Sequence, residues 1–396
     1  MQEWFRKAAL ADSFERIFGE KPTRYFSAPG RTELSGNHTD HQRGRVLAGA
    51  VNLDMQAAVR ENGGEEIRVY SKGYPMNIVS LRVLTPVEEE RNTTAALIRG
   101  VAARFVQLGY KVKGFDVYME STVLPGSGLS SSAAFEVLMG TIINHLFCEG
   151  AVSQPEIAII GQYGENVFFG KPCGLMDQMA SALGGLVAID FADPQHPQIR
   201  QVDFDFAACG HALCIIDTRA SHAELTGEYA AIAEELKGIS GYFGKEVLRQ
   251  VEETAFYEAI PALRSQFGDR AVLRAIHFFK ENARVGRQVA ALEQGDFDTY
   301  LALMTESGRS SYMYLQNVIP AGATNRQEVG LALALCGKLL DGRGGYRVHG
   351  GGFAGTVQAF VPLDILEEFQ KGMDAVFGDG ACHVLSIRAQ GGVEIK

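Results

Sequence analysis

One segment of the sequence combines glycines, serines and an apolar run in an order that suits a phosphate ligand. Residues 124–134 read LPGSGLSSSAA. Glycines let the backbone approach a ligand closely, and a helix that begins at the serines offers unpaired N–H groups to an anion. The segment lacks the Gly-Lys-Ser/Thr ending of a Walker A loop. A flexible turn with one capping serine is the alternative, but three successive serines fit that alternative poorly.

A second segment is crowded with polar side chains. Residues 27–41 read SAPGRTELSGNHTDH, and His38 and Asp40 are two positions apart, so they share one side of an extended chain. A sugar needs many directional donors and acceptors in a small space, which this segment offers. A solvated surface loop is the alternative, and composition alone favours the loop.

Two further segments are compatible with chemistry but do not require it. Residues 170–179 read GKPCGLMDQM and contain a single acid, Asp177, which is either a catalytic carboxylate near a phosphate or a helix cap. The sequence alone favours the cap. Residues 348–356 read VHGGGFAGT, where three glycines allow either close backbone approach to a ligand or a plain tight turn.

The elements that must position these segments follow from hydrophobic periodicity. Helical spacing predicts helices, and alternation predicts strands. A helix with a capping box is also predicted from Ser153 to Gly170, because Glu156 follows Ser153 by three residues. The remaining predicted elements are a helix over 1–20, strands over 50–60 and 67–84, a helix over 92–108, a strand over 114–120, a helix over 132–146, a strand over 212–217, helices over 222–304, and a strand–turn–strand over 342–362.

Length and charge limit the class of protein. A chain of 396 residues is too long for one core, and we expect two domains, over 1–197 and 198–396. The net charge of −10 argues against a nucleic-acid partner, although backbone N–H groups still hold phosphates on an acidic protein.

Cysteine usage and the lack of long apolar runs bear on the cellular compartment. The six cysteines are scattered without any CxxC pair, so we expect free thiols rather than a zinc cage or a disulfide framework. No signal-like start and no membrane-length apolar run are present. These observations predict a cytoplasmic protein without a membrane partner, and the sequence indicates no protein partner.

The four segments, in this order, resemble the galactokinase family of GHMP kinases. The run Pro-x-x-Gly-Leu-Ser-Ser-Ser-Ala over 125–133 resembles the hallmark of these kinases, and Gly-x-His-Thr-Asp, Pro-Cys-Gly-Leu-Met-Asp-Gln and Gly-Gly-Gly-Phe-Ala-Gly are similar to the other family motifs. The resemblance implies an α+β fold of two domains, the first like ribosomal protein S5 and the second ferredoxin-like, with the active site in the cleft between them. It also implies transfer of the γ-phosphoryl group of ATP to the anomeric hydroxyl of galactose.

The resemblance assigns roles to individual residues. Asp177 is expected to accept or orient the proton of the sugar 1-OH, and Arg31 is expected to keep Asp177 ionised and stabilise the moving phosphoryl group. The expected Mg²⁺ ligands are Ser132 and Glu165. The expected sugar contacts are Asn37, His38, Asp40, Gly174, Asp177 and Tyr229. The expected phosphate contacts are Pro125, Gly126, Ser127, Gly128, Leu129, Ser130, Ser131 and Ser132.

Two departures from the family pattern leave alternatives open. Asn37 stands where the family has a Glu that binds a far sugar hydroxyl, so another hexose or a hexosamine is an alternative substrate. A tryptophan that often helps to hold adenine is absent near Thr94. A non-catalytic sugar and ATP sensor is a third possibility, although Arg31 and Asp177 are both present.

Overall fold

The computed structural model describes residues 2–124, 128–171, 173–220 and 225–396, which form an α+β fold with two sheets. The helices are α1 Gln2–Phe18, α2 Thr94–Gln107, α3 Ser131–Phe147, α4 Gln154–Tyr163, α5 Met176–Leu183, α6 Thr226–Tyr242, α7 Glu253–Glu293, α8 Phe297–Ser310, α9 Glu328–Leu340 and α10 Leu366–Phe377. The strands are β1 Arg24–Ser35, β2 Arg45–Glu61, β3 Glu66–Ser71, β4 Asn77–Ser80, β5 Phe115–Ser121, β6 Leu186–Asp190, β7 Gln198–Val202, β8 His211–Asp217, β9 Gly345–His349, β10 Thr356–Pro362, β11 Cys382–Leu385 and β12 Val393–Glu394.

The larger sheet is built around the long strand β2. Its order is β12-β1-β2-β5-β3-β4, while β6 pairs with β2 and β7 pairs with β6. All neighbours are antiparallel except β3 and β5, which are parallel. Helices α3 and α5 pack on β1 and β2, with α2 and α4 against those helices. The buried apolar side chains between these layers form the main core, which fixes β1 against the N-terminal ends of α3 and α5.

Helices α3 and α4 form where the sequence predicts them. The capping box of α4 is present, because the hydroxyl of Ser153 accepts from the N–H of Glu156 and the Glu156 carboxylate accepts from the N–H of Ser153. Gly140 lets the two helices approach closely, since a β-carbon there would lie 2.8 Å from the Ile157 side chain. After α4 the chain continues as a π-helical turn, Gly164–Phe169.

The second sheet is antiparallel, in the order β11-β8-β10-β9, and it is covered by α9 and α10. Its core holds Cys214, Cys336 and Cys382 as unpaired thiols. All six cysteines lie in the described ranges, and each is a free thiol there.

Helices α7 and α8 connect the two sheets. Helix α7 contacts β2, while α8 contacts β9, and α7 is interrupted at Gly268, where φ is 85°. In the described ranges, no helix is both long enough and apolar enough to cross a membrane.

The predicted division after residue 197 does not coincide with the boundary between the sheets. Strand β7, which begins at Gln198, pairs with β6 in the large sheet, and the second sheet begins only at His211. The C-terminal strand β12 then returns to pair with β1. The division into domains over 1–197 and 198–396 therefore remains a prediction. Its boundary would separate strands β7 and β12 from the large sheet with which they pair.

Candidate active site

Three of the four sequence segments meet at the guanidinium of Arg31. Its Nε and Nη2 donate to the two carboxylate oxygens of Asp177, each at 2.7 Å, and its Nη1 donates to the carbonyl of Gly128. The backbone N–H of Arg31 also donates to the carbonyl of Leu129 at 3.0 Å. Strand β1 thus holds the serine segment on one side and the first turn of α5 on the other, which brings the predicted catalytic pair together.

The charge state of Asp177 follows from its neighbours. Burial raises the pKa of this carboxyl, but the charge and hydrogen bonds of Arg31 and a hydrogen bond from Ser130 outweigh burial and leave the pKa below its usual range. The Asp177 side chain is 30% exposed, whereas that of Arg31 is 8% exposed. Asp177 is therefore ionised at neutral pH and accessible to a ligand.

The serine segment forms the N-terminus of α3. Ser130 is the N-cap residue, with φ 55°, and Ser131 and Ser132 are half-buried in the first turn. The first N–H groups of a helix have no partner within it, so this turn can bind an anion. Gly128 has φ 71°, and a β-carbon there would lie 3.0 Å from Nδ1 of His349. The predicted phosphate contacts Pro125, Gly126 and Ser127 lie outside the described residues.

The two predicted metal ligands lie next to each other. The hydroxyl of Ser132 donates to Oε1 of Glu165 at 3.4 Å, and Glu165 is buried in the π-helical turn. Lys171 lies 3.8 Å from the same oxygen. Within the described ranges, no cluster of three or more His, Cys, Asp or Glu residues could hold a metal ion, so a cation here would need further ligands from outside that set.

A second buried acid, Glu136, lies beside Glu165 and is not among the predicted site residues. Nε2 of Gln178 donates to Oε2 of both Glu136 and Glu165, at 2.9 and 3.0 Å. Burial and the charge of Glu165 raise the pKa of Glu136 well above its ordinary value. The sequence does show an acid, Glu136, within the apolar helix α3. Its neighbours become known only from the way in which α5 packs against α3.

A cavity of about 430 Å³ opens beside Arg31. Its wall includes four of the six predicted sugar contacts, and the two that it does not include are Asn37 and Asp177. The lining residues are Arg31, Glu33, His38, Asp40, His41, Cys173, Gly174, Met176, Tyr229, Ala233, Gly350 and Gly351. A larger surface cleft of about 520 Å³ lies beside Asn62, Arg68 and Arg82, and none of the predicted site residues lines it.

Gly174 and Asp40 are in direct contact. A β-carbon at Gly174 would lie 1.9 Å from Oδ2 of Asp40, so only glycine fits beside this carboxylate. The other oxygen of Asp40 accepts from the N–H of His41 at 2.9 Å. Burial and the nearby charge of Asp177 raise the pKa of Asp40 to about 6.

The glycine-rich fourth segment forms the opposite wall. Nε2 of His38 lies 3.0 Å from the carbonyl of Gly351 and must donate to it, because a carbonyl only accepts. The hydroxyl of Tyr229 donates to the carbonyl of Gly352 at 2.9 Å, and a β-carbon at Gly351 would lie 2.7 Å from the Tyr229 ring. The close approach of these side chains explains why the chain has glycine there.

The structure differs from the prediction at Asn37, whose side chain is 0% exposed and lies behind the cavity wall. Its Nδ2 donates to Oε1 of Glu33 and to the carbonyl of Gly350, at 3.1 and 2.6 Å. Its Oδ1 accepts from Ser311 and Asn317, at 3.1 and 2.9 Å. All four hydrogen-bonding positions of the amide are used, so a direct sugar contact from Asn37 does not fit this arrangement.

The fold and the site together are those of a GHMP kinase. Residues 96–185 match the family described as "GHMP kinases N terminal domain", and residues 12–61 match the "Galactokinase galactose-binding signature". The crystal structure of Lactococcus lactis galactokinase complexed with galactose superposes on this chain with a TM-score of 0.84 at 24% sequence identity. The match covers 98% of this chain and 99% of the Lactococcus chain. A mevalonate kinase structure shares the fold at a TM-score of 0.65 and 14% identity, covering 93% of this chain and all of that one.

Two curated relatives make the class more specific. The chain is 31% identical over 370 residues to a galactokinase from Streptomyces coelicolor, covering 93% of this chain and 92% of that protein. It is 32% identical over 369 residues to a galactokinase from Glaesserella parasuis, covering 90% of both. The chain belongs to the galactokinase family and is therefore an ATP-dependent sugar kinase.

Proposed function

We propose that the protein transfers the γ-phosphoryl group of Mg-ATP to the anomeric hydroxyl of galactose, giving galactose 1-phosphate and ADP. The observation that carries this proposal is the bidentate pair of Arg31 and Asp177, which lies between the cavity and the serine turn. The choice of galactose is supported by the names of the relatives, the galactose-binding signature over 12–61 and the galactose complex of the Lactococcus enzyme.

Asp177 would act first by orienting the acceptor hydroxyl. With its pKa below the usual range, the carboxylate is ionised and accepts a hydrogen bond from the 1-OH, but it is a weak base in the ground state. The acceptor oxygen then forms a bond to the γ-phosphorus while the bond to the bridging oxygen of ADP breaks. As that oxygen loses electron density, its proton passes to Asp177 and afterwards to solvent.

Arg31 and the serine turn would neutralise the charge of the moving group. The guanidinium remains protonated under all working conditions and already occupies a fixed position between Asp177 and the carbonyl of Gly128. The first N–H groups of α3, which have no partner within the helix, would face a phosphate bound at this helix end. Positioning and electrostatic stabilisation of this kind supply most of the rate enhancement in phosphoryl transfer.

Ser132 and Glu165 fit a Mg²⁺ site. A hydroxyl and a buried carboxylate lie 3.4 Å apart at the helix end where the phosphates are proposed to bind. Mg²⁺ prefers oxygen ligands and usually takes one or two protein groups together with phosphate oxygens and water. The ion, when bound, would shield the phosphate charge, and Ser132 and Glu165 would hold it beside α3.

The remaining predicted contacts would bind the sugar. Asp40, His38 and Tyr229 line the cavity, and Gly174 leaves room for the Asp40 carboxylate. Because Nε2 of His38 donates to Gly351 and burial lowers the pKa of its ring, Nδ1 of the neutral ring is left as an acceptor. An acid and an imidazole acceptor within one cavity suit neighbouring sugar hydroxyls.

The test is phosphorylation of a sugar panel by the purified protein with Mg-ATP. The panel comprises galactose, glucose, N-acetylgalactosamine and galacturonate, with ADP release and sugar 1-phosphate both measured. Galactose should have the highest kcat/KM, and Asp177→Ala should lose turnover. A higher kcat/KM for the hexosamine would replace galactose as the substrate, and binding of galactose and ATP without turnover would indicate a sensor.

A further inference from the structure

We infer that Glu33 contacts the sugar and accepts a hydrogen bond from a hydroxyl on the side of the hexose away from the anomeric carbon. The inference rests on the proposed function and adds a specificity-determining residue to it. In this chain the carboxylate that faces the sugar would be contributed by position 33, while Asn37 only supports it.

The two oxygens of the Glu33 carboxylate have different surroundings. Oε1 accepts from Nδ2 of Asn37 and from Nη2 of Arg347. Among the hydrogen bonds of the described residues, both that reach this carboxylate end on Oε1 and none on Oε2, and Glu33 lines the cavity. The side chain of Glu33 is 6% exposed and that of Arg347 is 0% exposed. One oxygen is therefore held inside the protein, and the other is left as an acceptor at the cavity wall.

The position of Glu33 relative to Arg31 suits a single hexose. The two residues are two positions apart on β1, and their pairing with β2 is regular, Arg31 with Ala50 and Glu33 with Ala48. Residues i and i+2 of a strand lie on the same face, separated by about 7 Å. This separation is comparable to the width of a hexose ring. A sugar with its anomeric hydroxyl at Asp177, next to Arg31, would bring its opposite side to Glu33.

The chemistry of this group restricts what it recognises. An ionised carboxylate only accepts hydrogen bonds, so Glu33 would select a hydroxyl that can donate and would disfavour a hydrogen at the same ring position. A site whose buried polar group loses its partner discriminates strongly against the analogue that lacks it. Because Arg347 and Asn37 fix one carboxylate oxygen, the other is already in place before the sugar binds.

The experiment measures kcat/KM for galactose and its 3-, 4- and 6-deoxy analogues in the wild type, Glu33→Asp and Glu33→Gln. Glu33→Asp keeps the charge that Arg347 needs and moves the carboxylate away from the cavity by one methylene. The matched control is Glu394→Asp, which shortens a carboxylate held by Arg24 of the same strand, with Nε–Oε1 at 2.6 Å, and does not line the cavity.

We expect the wild type to lose tenfold or more in kcat/KM with one of the deoxy analogues, and both Glu33 variants to lose less than threefold with it. The effect should be in the sugar KM and not in the ATP KM, and Glu394→Asp should keep the wild-type pattern. If Glu33→Gln does not fold, Glu33→Asp decides alone. If a folded Glu33 variant still phosphorylates galactose and loses as much kcat/KM with the deoxy analogue as the wild type does, that result overturns the role of Glu33 only. Failure of the wild type to phosphorylate galactose overturns the proposed function and this inference together.

Discussion

The carboxylate of Asp177 accepts two hydrogen bonds of 2.7 Å from one guanidinium, that of Arg31. The two residues are 146 positions apart in the chain, and the strand that carries one packs against the helix that carries the other. The bidentate geometry fixes both oxygens and keeps the acid ionised. A fixed acceptor beside a fixed cation is the arrangement that phosphoryl transfer to a hydroxyl requires.

Asp177→Asn should reduce kcat by about 10²–10⁴-fold, because the amide cannot take up the proton of the acceptor hydroxyl. The ATP KM should change little, since the role proposed for Asp177 is a contact with the acceptor hydroxyl and not with the nucleotide. Steady-state kinetics and thermal unfolding would be compared with Asp364→Asn, which also breaks a contact with an arginine, Arg343, but on the exposed surface. A kcat within threefold of the wild type would exclude Asp177 from the reaction.

Gly174→Ala should raise the galactose KM by tenfold or more while leaving the ATP KM unchanged. The added β-carbon would lie 1.9 Å from Oδ2 of Asp40 and force that carboxylate out of position. Gly241→Ala is the matched control, because nothing lies within 4 Å of a β-carbon at that helical position. Equal sugar KM values in the two variants would show that Asp40 does not bind the substrate.

Galactose binding in the absence of nucleotide should weaken below about pH 6, where Asp40 becomes protonated. Burial, followed by the charge of Asp177, raises the Asp40 pKa from 3.8 to about 6, so at pH 5 binding should be about tenfold weaker than at pH 7. Burial lowers the pKa of His38, and it lowers the pKa of His41 to about 3, while Arg31 keeps the Asp177 carboxylate ionised. The Asp40→Asn variant therefore separates the titration of Asp40 from that of His38.

Calorimetry from pH 5 to 8 would measure this dependence without interference from the phosphates of ATP. Asp40→Asn should bind galactose more weakly at pH 7 and show a flat profile of affinity against pH. A wild-type profile that stays flat from pH 5 to 7 would contradict the role of Asp40 in binding.

The same pKa affects folding. Since the raised pKa favours the protonated form in the folded protein, Asp40 stabilises the fold most below pH 3.8, and that contribution is lost as pH rises through about 6.

The sequence predicted the residues that carry the chemistry better than the buried residues that hold them in place. The resemblance of the segments to family motifs was sufficient to pair Arg31 with Asp177, and the two side chains are in contact in the structure. The neighbours of Asn37 could not be predicted. Its amide is bound by Ser311 and Asn317, which lie 274 and 280 residues further along the chain and in no motif, so that only tertiary packing shows the amide to be fully engaged.

Asn37→Ala should therefore act mainly on stability. The substitution leaves buried groups of Glu33, Gly350, Ser311 and Asn317 without this partner, and each unsatisfied buried group costs about 1–3 kcal/mol. We expect a clear fall in Tm and in the free energy of unfolding, measured by urea titration. Asn317→Ala should also lower Tm and the free energy of unfolding, because Nδ2 of Asn317 donates both to Oδ1 of Asn37 and to the carbonyl of Gly351.

A direct contact between Asn37 and the sugar would give a different result for Asn37→Ala. If Asn37 touched the sugar, its loss would raise the galactose KM at unchanged Tm, because a contact at the cavity surface contributes to binding and little to folding. Asn62→Ala provides the control, since that amide also donates to a carboxylate, that of Asp116, at 2.7 Å in a cleft away from the site. A fall in Tm for Asn37→Ala larger than for this control, at a galactose KM close to that of the wild type, would establish that Asn37 acts by holding Glu33 and the Gly350 turn in place.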